Sequence, residues 1–191
     1  MKKPNLGVDI DDVILDTTPV IFKKILKKWP SVDITNIYKY DIAECLNLDA
    51  DVIYNLIYQT IRDNYFKLVK DCHLNILRLN KLFNIYLITS RNESLKLQTL
   101  DNIYGYFGNL FPPHKIIHTK EKWKVIKDLD IKYFVDDRVK YLEEIYLNTS
   151  CDPICFDKPW NQHCKGYITR ATNWNEIYTI MNCTYNVIHK T

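Results

Sequence analysis

Long apolar runs are missing from this sequence: no stretch approaches the ~20 residues that a membrane-spanning helix requires. A dominant charge is missing too. The 26 Lys and Arg against 23 Asp and Glu leave a net charge of +3, with a sequence pI near 8.4. That is too mild for the clustered basic surface of a nucleic-acid binder. Glycine is scarce, at four of 191 residues, against seven prolines, and no P-loop is present. Repeats, low-complexity tracts and flexible linkers are absent. With 47% hydrophobic and 26% charged residues, the disordered and fibrous classes are excluded. Asp9, Asp11 and Asp12 fall where a secretory signal would need its apolar stretch, so a cytoplasmic location is expected. The six cysteines, at 45, 72, 151, 155, 164 and 183, sit in no small secreted framework and are expected to be reduced.

What is present suits one domain with a modest insertion. Five short apolar runs each end in polar residues. Asn5-Leu6-Gly7-Val8 runs into Asp9-Ile10-Asp11, and Ile85-Tyr86-Leu87-Ile88 into Thr89-Ser90-Arg91. Lys115-Ile116-Ile117 leads to His118-Thr119, Tyr133-Phe134-Val135 to Asp136-Asp137-Arg138, and Pro153-Ile154-Cys155-Phe156 to Asp157. Between them, Leu97, Leu100, Tyr104 and Phe107 recur at helical spacing, as do Trp123, Ile126, Lys127 and Leu129, and then Leu142, Ile145 and Tyr146. Short apolar strands alternating with helices indicate an α/β fold, a doubly wound, Rossmann-like parallel sheet. In such sheets the ligand crevice lies past the carboxyl ends of the strands.

Residues 17–81 break the alternation and read as a small helical cap inserted after the first strand. The core is then assigned to residues 1–16 and 82–191. Ile21, Phe22, Ile25, Leu26 and Trp29 form an apolar face opposite Lys23, Lys24, Lys27 and Lys28, and Pro30 ends that helix. A second cap helix carries Val52, Ile53, Leu56, Ile57, Thr60 and Ile61, with Asp51 as its expected N-cap. Residues 182–191 read as a loosely ordered tail. The cap aromatics Tyr38, Tyr40, Tyr54, Tyr58, Tyr65 and Phe66 could stack on a ring, but their helical spacing favours the core for most of them.

Asp9 and Asp11 sit two apart on an extended segment, which turns both carboxylates to one side. Such a pair repels itself unless a cation or proton relieves it. One carboxylate can serve as nucleophile and the other as general acid and then base; a solvated strand end gives the same pattern. Asp136 and Asp137 bring two more acids to the same edge. A set of carboxylates without His or Cys suits Mg²⁺, whereas acids at a helix start can equally answer the helix dipole. Thr119 reads as the N-cap of a helix beginning near Lys120, placing Lys122 in its first turn. A cation there opposes the dipole unless an anion lies close by. Cys151, Cys155, His163 and Cys164 have zinc-compatible donors without a tight CxxC pair, and buried thiols are the favoured reading.

In order, strand–Asp-x-Asp, strand–Thr-Ser, Lys at a helix start and strand–Asp-Asp resemble the four motifs of the haloacid dehalogenase-like phosphatases. Val8-Asp9-Ile10-Asp11-Asp12-Val13-Ile14, Ile88-Thr89-Ser90-Arg91, Phe134-Val135-Asp136-Asp137-Arg138 and Phe156-Asp157-Lys158-Pro159-Trp160-Asn161 are most similar to the 5'(3')-deoxyribonucleotidase-like group. The resemblance implies Asp9 as nucleophile and Asp11 as general acid/base. It implies Mg²⁺ held by Asp9, the main-chain carbonyl of Asp11 and Asp136, with Asp137 close behind. Thr89, Ser90 and Lys122 would grip phosphate; Arg91, outside the resembled pattern, is a candidate substrate contact. The implied substrate is a nucleoside monophosphate. Three positions depart from the pattern: Asp12 replaces a small residue, Thr17 an aromatic and Arg91 a proline. Alternative readings are another small phosphomonoester, a nucleic-acid end, or a silent binding module of the same fold. Neither membrane nor nucleic acid is an expected partner, and a homodimer stays open.

Overall fold

The structure, a computed structural model, describes residues 3–189. Six parallel strands form one sheet in the order β3-β2-β1-β4-β5-β6. They are β1 (Asn5–Val8), β2 (Asn84–Thr89), β3 (Ile116–His118), β4 (Ile131–Asp136), β5 (Asp152–Phe156) and β6 (Thr169–Ala171). The five apolar runs of the sequence are the first five. The sixth, Thr-Arg-Ala, is too short and polar to carry a strand signature, and it forms by pairing with β5.

Leu6, Val8, Leu87, Tyr133, Val135 and Phe156 pack on one face of the sheet. Ile88, Ile131, Phe134 and Cys155 pack on the other. Helices α4 (Cys72–Leu82), α5 (Lys96–Phe107) and α8 (Trp174–His189) cover the first face. Helices α6 (Lys122–Asp128) and α7 (Val139–Asn148) cover the second. Burial on both faces is why these strands read as continuous apolar runs.

Helices α1 (Thr18–Lys28), α2 (Ile42–Leu46) and α3 (Ala50–Asp63) form the insertion. It has its own cluster of Ile21, Ile25, Ala43 and Ile53. Helix α4, placed within the cap by the sequence expectation, instead buries Cys72, Ile76 and Leu79 in the main core beside α8. The two chain crossings between cap and core pair with each other: Asp16 N–H donates to Lys67 O and Val69 N–H to Ile14 O, both at 2.8 Å.

Several local expectations are corrected. Asp49, not Asp51, caps α3, accepting from the Val52 N–H at 2.9 Å. Leu97 is exposed; α5 buries Phe107 as expected, together with Thr99, Asn102 and Ile103. Residues 182–189 continue α8, which Trp174, Ile177 and Met181 anchor in the core; residues 190–191 lie outside the described residues. Among the cap aromatics, Tyr38, Tyr40, Tyr54 and Tyr65 are exposed rather than core, and Phe66 is buried. No helix among the described residues is long and apolar enough to cross a membrane.

Asp12 departs from the resembled pattern for a structural reason. It has a left-handed backbone, φ 58°, and its carboxylate accepts from the Thr18 N–H at 2.9 Å and the Thr18 hydroxyl at 2.5 Å. It thus satisfies an N-terminal donor of α1 in place of Thr17, whose side chain makes no capping bond.

Gly7 pairs with Phe134 across the sheet centre. An added Cβ would stand 2.5 Å from Phe134 Cδ2 and 3.3 Å from Ile131 Cδ1. Gly7→Ala is therefore expected to destabilise by about 1–3 kcal/mol through overpacking. Gly105→Ala, at an exposed position of α5 with nothing within 4 Å, is expected to stabilise by about 0.4–1 kcal/mol. Denaturant unfolding of the two variants checks the opposite signs.

Candidate active site

The strand order reverses between β1 and β4, and a crevice opens past their carboxyl ends. Asp9 follows β1, its N–H donating to Val135 O at 2.9 Å. Asp136 ends β4 and accepts from the Arg138 N–H through Oδ1 at 2.8 Å. Lys122 opens α6 and lies between them. Its Nζ donates to Asp9 Oδ1 and Asp136 Oδ2, each at 2.7 Å. All three are buried. The Lys122 ammonium also lies 4.8 Å from the Tyr141 ring centre and 5.4 Å from that of Phe134.

Burial alone would discharge this lysine, but Asp136 and Asp9 outweigh it and hold its ionisation above the ordinary range. Burial pushes Asp9 up to about 7; Lys122 opposes the shift, while Asp136 and Asp11 add to it. Burial, then Asp136, Asp12 and Asp9, raise the Asp137 carboxyl well above its usual value. Oxygens of Asp9, Asp136 and Asp137 all lie within 4.8 Å of one another. One ammonium among three buried carboxylates leaves negative charge in excess, and the donors are hard oxygens. That set fits Mg²⁺.

Asp137 is itself held. Trp160 Nε1 donates to its Oδ2 at 2.7 Å, and Asn161 Nδ2 donates to its main-chain carbonyl and to Phe156 O, both at 2.8 Å. Arg170 braces that turn by donating to Asn161 Oδ1 and to Asp157. The Phe156–Asn161 segment noted in the sequence is thus the mount of the second acid of β4.

Asp11 stands apart from the trio. Its carboxylate faces Arg91, which donates from Nε to Oδ2 at 2.8 Å and from Nη2 to Oδ1 at 2.7 Å. Thr89 is fully buried at the end of β2, its hydroxyl accepting the Arg91 N–H at 3.2 Å. Ser90 and Arg91 line a cavity of about 580 Å³ between cap and core. Asp11, Asp137 and Arg138 form its core rim, and Ile21, Ile37, Ile53 and Ile57 its aliphatic cap wall.

The sequence reading brought Asp9, Lys122 and Asp136 to one edge, and the structure gathers them. It placed Asp137 behind the metal ligands; the structure sets its oxygen beside theirs. It read a nearby anion as the condition for Lys122 in a first helical turn, and Asp9 and Asp136 are such anions. Thr119 is not the cap of α6: its hydroxyl accepts from Glu121 N–H at 3.0 Å, closing a turn before the helix starts. The Arg138 pairing was missed. This guanidinium lies 4.3 Å from the Tyr40 ring centre and 4.7 Å from that of Tyr141; its position directly after the acid pair was the available signal. Crowding by protein atoms, then the charge of Asp137, raises the Tyr40 phenol well above its ordinary range. Cys151, Cys155, His163 and Cys164 do not form one site. Cys151 and Cys155 are buried in the second-face cluster, with Cys164 packed against it, and His163 lines the cavity.

Known proteins resemble this chain in sequence and fold. Residues 3–187 match the family model described as 5' nucleotidase, deoxy (pyrimidine), cytosolic type C. A nucleotidase of Clostridium acetobutylicum is 26% identical over 194 residues, covering 95% of each chain. A haloacid dehalogenase-like hydrolase of Xanthomonas campestris superposes with a TM-score of 0.63 at 11% identity, covering 100% of this chain and 99% of that one. A haloacid dehalogenase-type hydrolase of Bacillus subtilis, solved bound to magnesium, gives 0.60 at 15% identity over 95% of this chain and 100% of its own.

Lys122→Met strands two buried carboxylates, and in chelator-treated buffer it is expected to destabilise by about 3–5 kcal/mol. Adding Asp9→Asn is expected to recover part of that loss. Urea unfolding of single and double variants checks it; a Lys122→Met protein as stable as the parent would refute the charge balance described here.

Proposed function

The chain belongs to the cytosolic type C 5' nucleotidase family and is a haloacid dehalogenase-like phosphatase, and on that premise we propose that it releases phosphate from nucleoside monophosphates through a phosphorylated Asp9. The observation that carries the proposal is the convergence of Asp9, Asp136, Asp137 and Lys122 beside the cavity.

Lys122 occupies Asp9 Oδ1, which leaves Oδ2 as the attacking atom. In the first step Asp9 Oδ2 bonds to phosphorus, the ester P–O bond breaks, and a protonated Asp11 gives its proton to the departing oxygen. Water then attacks the phosphorus of the aspartyl-phosphate while Asp11 takes a proton from it. The Asp9–phosphorus bond breaks and inorganic phosphate leaves. Splitting one displacement in two is the gain of covalent catalysis, and the proton transfers contribute about 10²–10⁴-fold. Asp9, Asp136 and Asp137, with the main-chain carbonyl of Asp11, would hold Mg²⁺, which supplies charge neutralisation on the transferred phosphoryl group. Thr89, Ser90 and Lys122 hold the phosphoryl oxygens on this reading.

The substrate assignment is supported by the cavity, whose volume lies in the range of small-molecule sites. Its charged rim lies on the core beside the acids, and its aliphatic wall and Tyr40 lie on the cap side. A molecule with a phosphate at one end and a flat apolar ring at the other matches that polarity. The family's description and the clostridial relative's name agree with a nucleotide, and the family's cytosolic description agrees with action in the cytoplasm.

Purified protein with Mg²⁺ is expected to release phosphate from some members of a panel of ribo- and deoxyribonucleoside monophosphates, and chelation is expected to abolish release. Asp9→Asn is expected to remove turnover while leaving the circular dichroism spectrum intact. Full activity in Asp9→Asn would reject the assignment of the nucleophile, and preference for a non-nucleotide ester would reject the substrate class.

A further inference from the structure

Arg91 stands where the resembled animal enzymes carry proline, and its guanidinium does not act as a free anion receptor. Its side chain is 1% exposed, and both forks of the bidentate contact are spent on Asp11, whose own side chain is 23% exposed. The third nitrogen, Nη1, reaches Thr99 Oγ1 on α5 at 3.3 Å, and the guanidinium lies 5.9 Å from the Phe66 ring centre. The main chain of Arg91 is pinned as well. Its N–H donates to Thr89 Oγ1 and its carbonyl lies 3.2 Å from His118 Nδ1. The clamp is thus mounted on β2 and α5 in the rigid core. Asp11, by contrast, sits on the connector to the cap, bridged to Leu15, which is bridged in turn to Leu68 on the returning strand of chain.

We propose that Arg91 is a positioning residue for Asp11: it ties the proton-transfer carboxyl, which rides on the cap connector, to the core that carries Asp9. A planar fork against a planar carboxylate fixes both the direction and the plane of the group, which a lysine cannot do. Asp11 also lines the cavity. There the same group meets the departing ester oxygen and then the attacking water, so its position bears on both steps. The inference rests on the reading of Asp11 as the proton-transfer residue, and it replaces the expectation that Arg91 contacts substrate.

The test is a double-mutant cycle of Asp11→Asn and Arg91→Met, with Arg91→Lys as a charge-preserving third variant, assayed with Mg²⁺. Two substrates are compared, a nucleoside monophosphate and p-nitrophenyl phosphate, whose leaving group departs without a proton. Loss of alignment is expected to lower kcat on the nucleotide by about 10²-fold with KM unchanged, and to slow single-turnover formation of the phospho-enzyme clearly less from p-nitrophenyl phosphate than from the nucleotide. Arg91→Lys is expected to fall with Arg91→Met. In the Asp11→Asn background, removing Arg91 is expected to cost little more, because a residue that acts through its neighbour is non-additive with it. A raised KM with intact kcat, additive losses, or equal slowing of phospho-enzyme formation from both substrates would overturn the positioning role. Full nucleotide turnover by Asp11→Asn would overturn the proton-transfer reading as well, and so separates the two failures. Should Arg91→Met fail to fold, the same comparison is read from Arg91→Lys and from its double variant with Asp11→Asn.

Discussion

Lys122 carries its ammonium into the interior against a desolvation penalty of several kcal/mol, and it remains there because Asp9 and Asp136 each meet it at 2.7 Å. These groups come from the end of β1, the end of β4 and the start of α6. The sheet already sets β1 against β4 by its hydrogen-bonded register, and this contact adds α6, whose depth packing alone would hold only by shape. The same contact sets the chemistry of the edge. Asp137 makes a third acid within reach, held by Trp160 and Asn161 rather than by a second cation. Burial first, and then the neighbouring carboxylates, lift Asp9 and Asp137 in ionisation, and a divalent ion relieves the charge part of that cost most directly.

How much of this was legible in the sequence depends on the range of each interaction. The first five strands were legible because burial on both faces writes a continuous apolar run into the chain. Their polar ends were legible because such runs stop abruptly at Asp9, Thr89 and Asp136. β6 was not, since Thr169-Arg170-Ala171 is a strand only through β5. The assignment of α4 to the cap failed for a related reason: amphipathic spacing reports that one face is buried and is silent about the surface that buries it. The choice between Asp49 and Asp51 as cap turned on a shift of two residues, which periodicity does not resolve. In the site, Lys122 was read from its conflict with the helix dipole, and the conflict was real. Its resolution by two distant carboxylates required tertiary contacts 113 and 14 residues away.

Arg91 illustrates the same limit from the other side. In the sequence Arg91 reads as a candidate substrate contact; in the structure its guanidinium forks onto Asp11 at the edge of the cavity that it also lines. The departures at Asp12 and Arg91 turn out to concern one piece of chain. Asp12 anchors the start of α1 through Thr18, and Arg91 anchors Asp11 to the core. Both stiffen the short connector by which the cap is attached.

That connector divides the labour between the two parts of the molecule. Asp9 is continuous with the sheet through its bond to Val135, so its position does not depend on the cap. Asp11 lies two residues further on, where the chain has left the sheet and turned toward α1. Any change in cap angle would therefore move Asp11 against Asp9 unless something on the core opposed it. Arg91, with its backbone held by Thr89 and its fork on Asp11, is placed to oppose it. The cap can then vary its aliphatic wall and tyrosines to suit the apolar end of a ligand while the distance between the two acids stays under the control of the core.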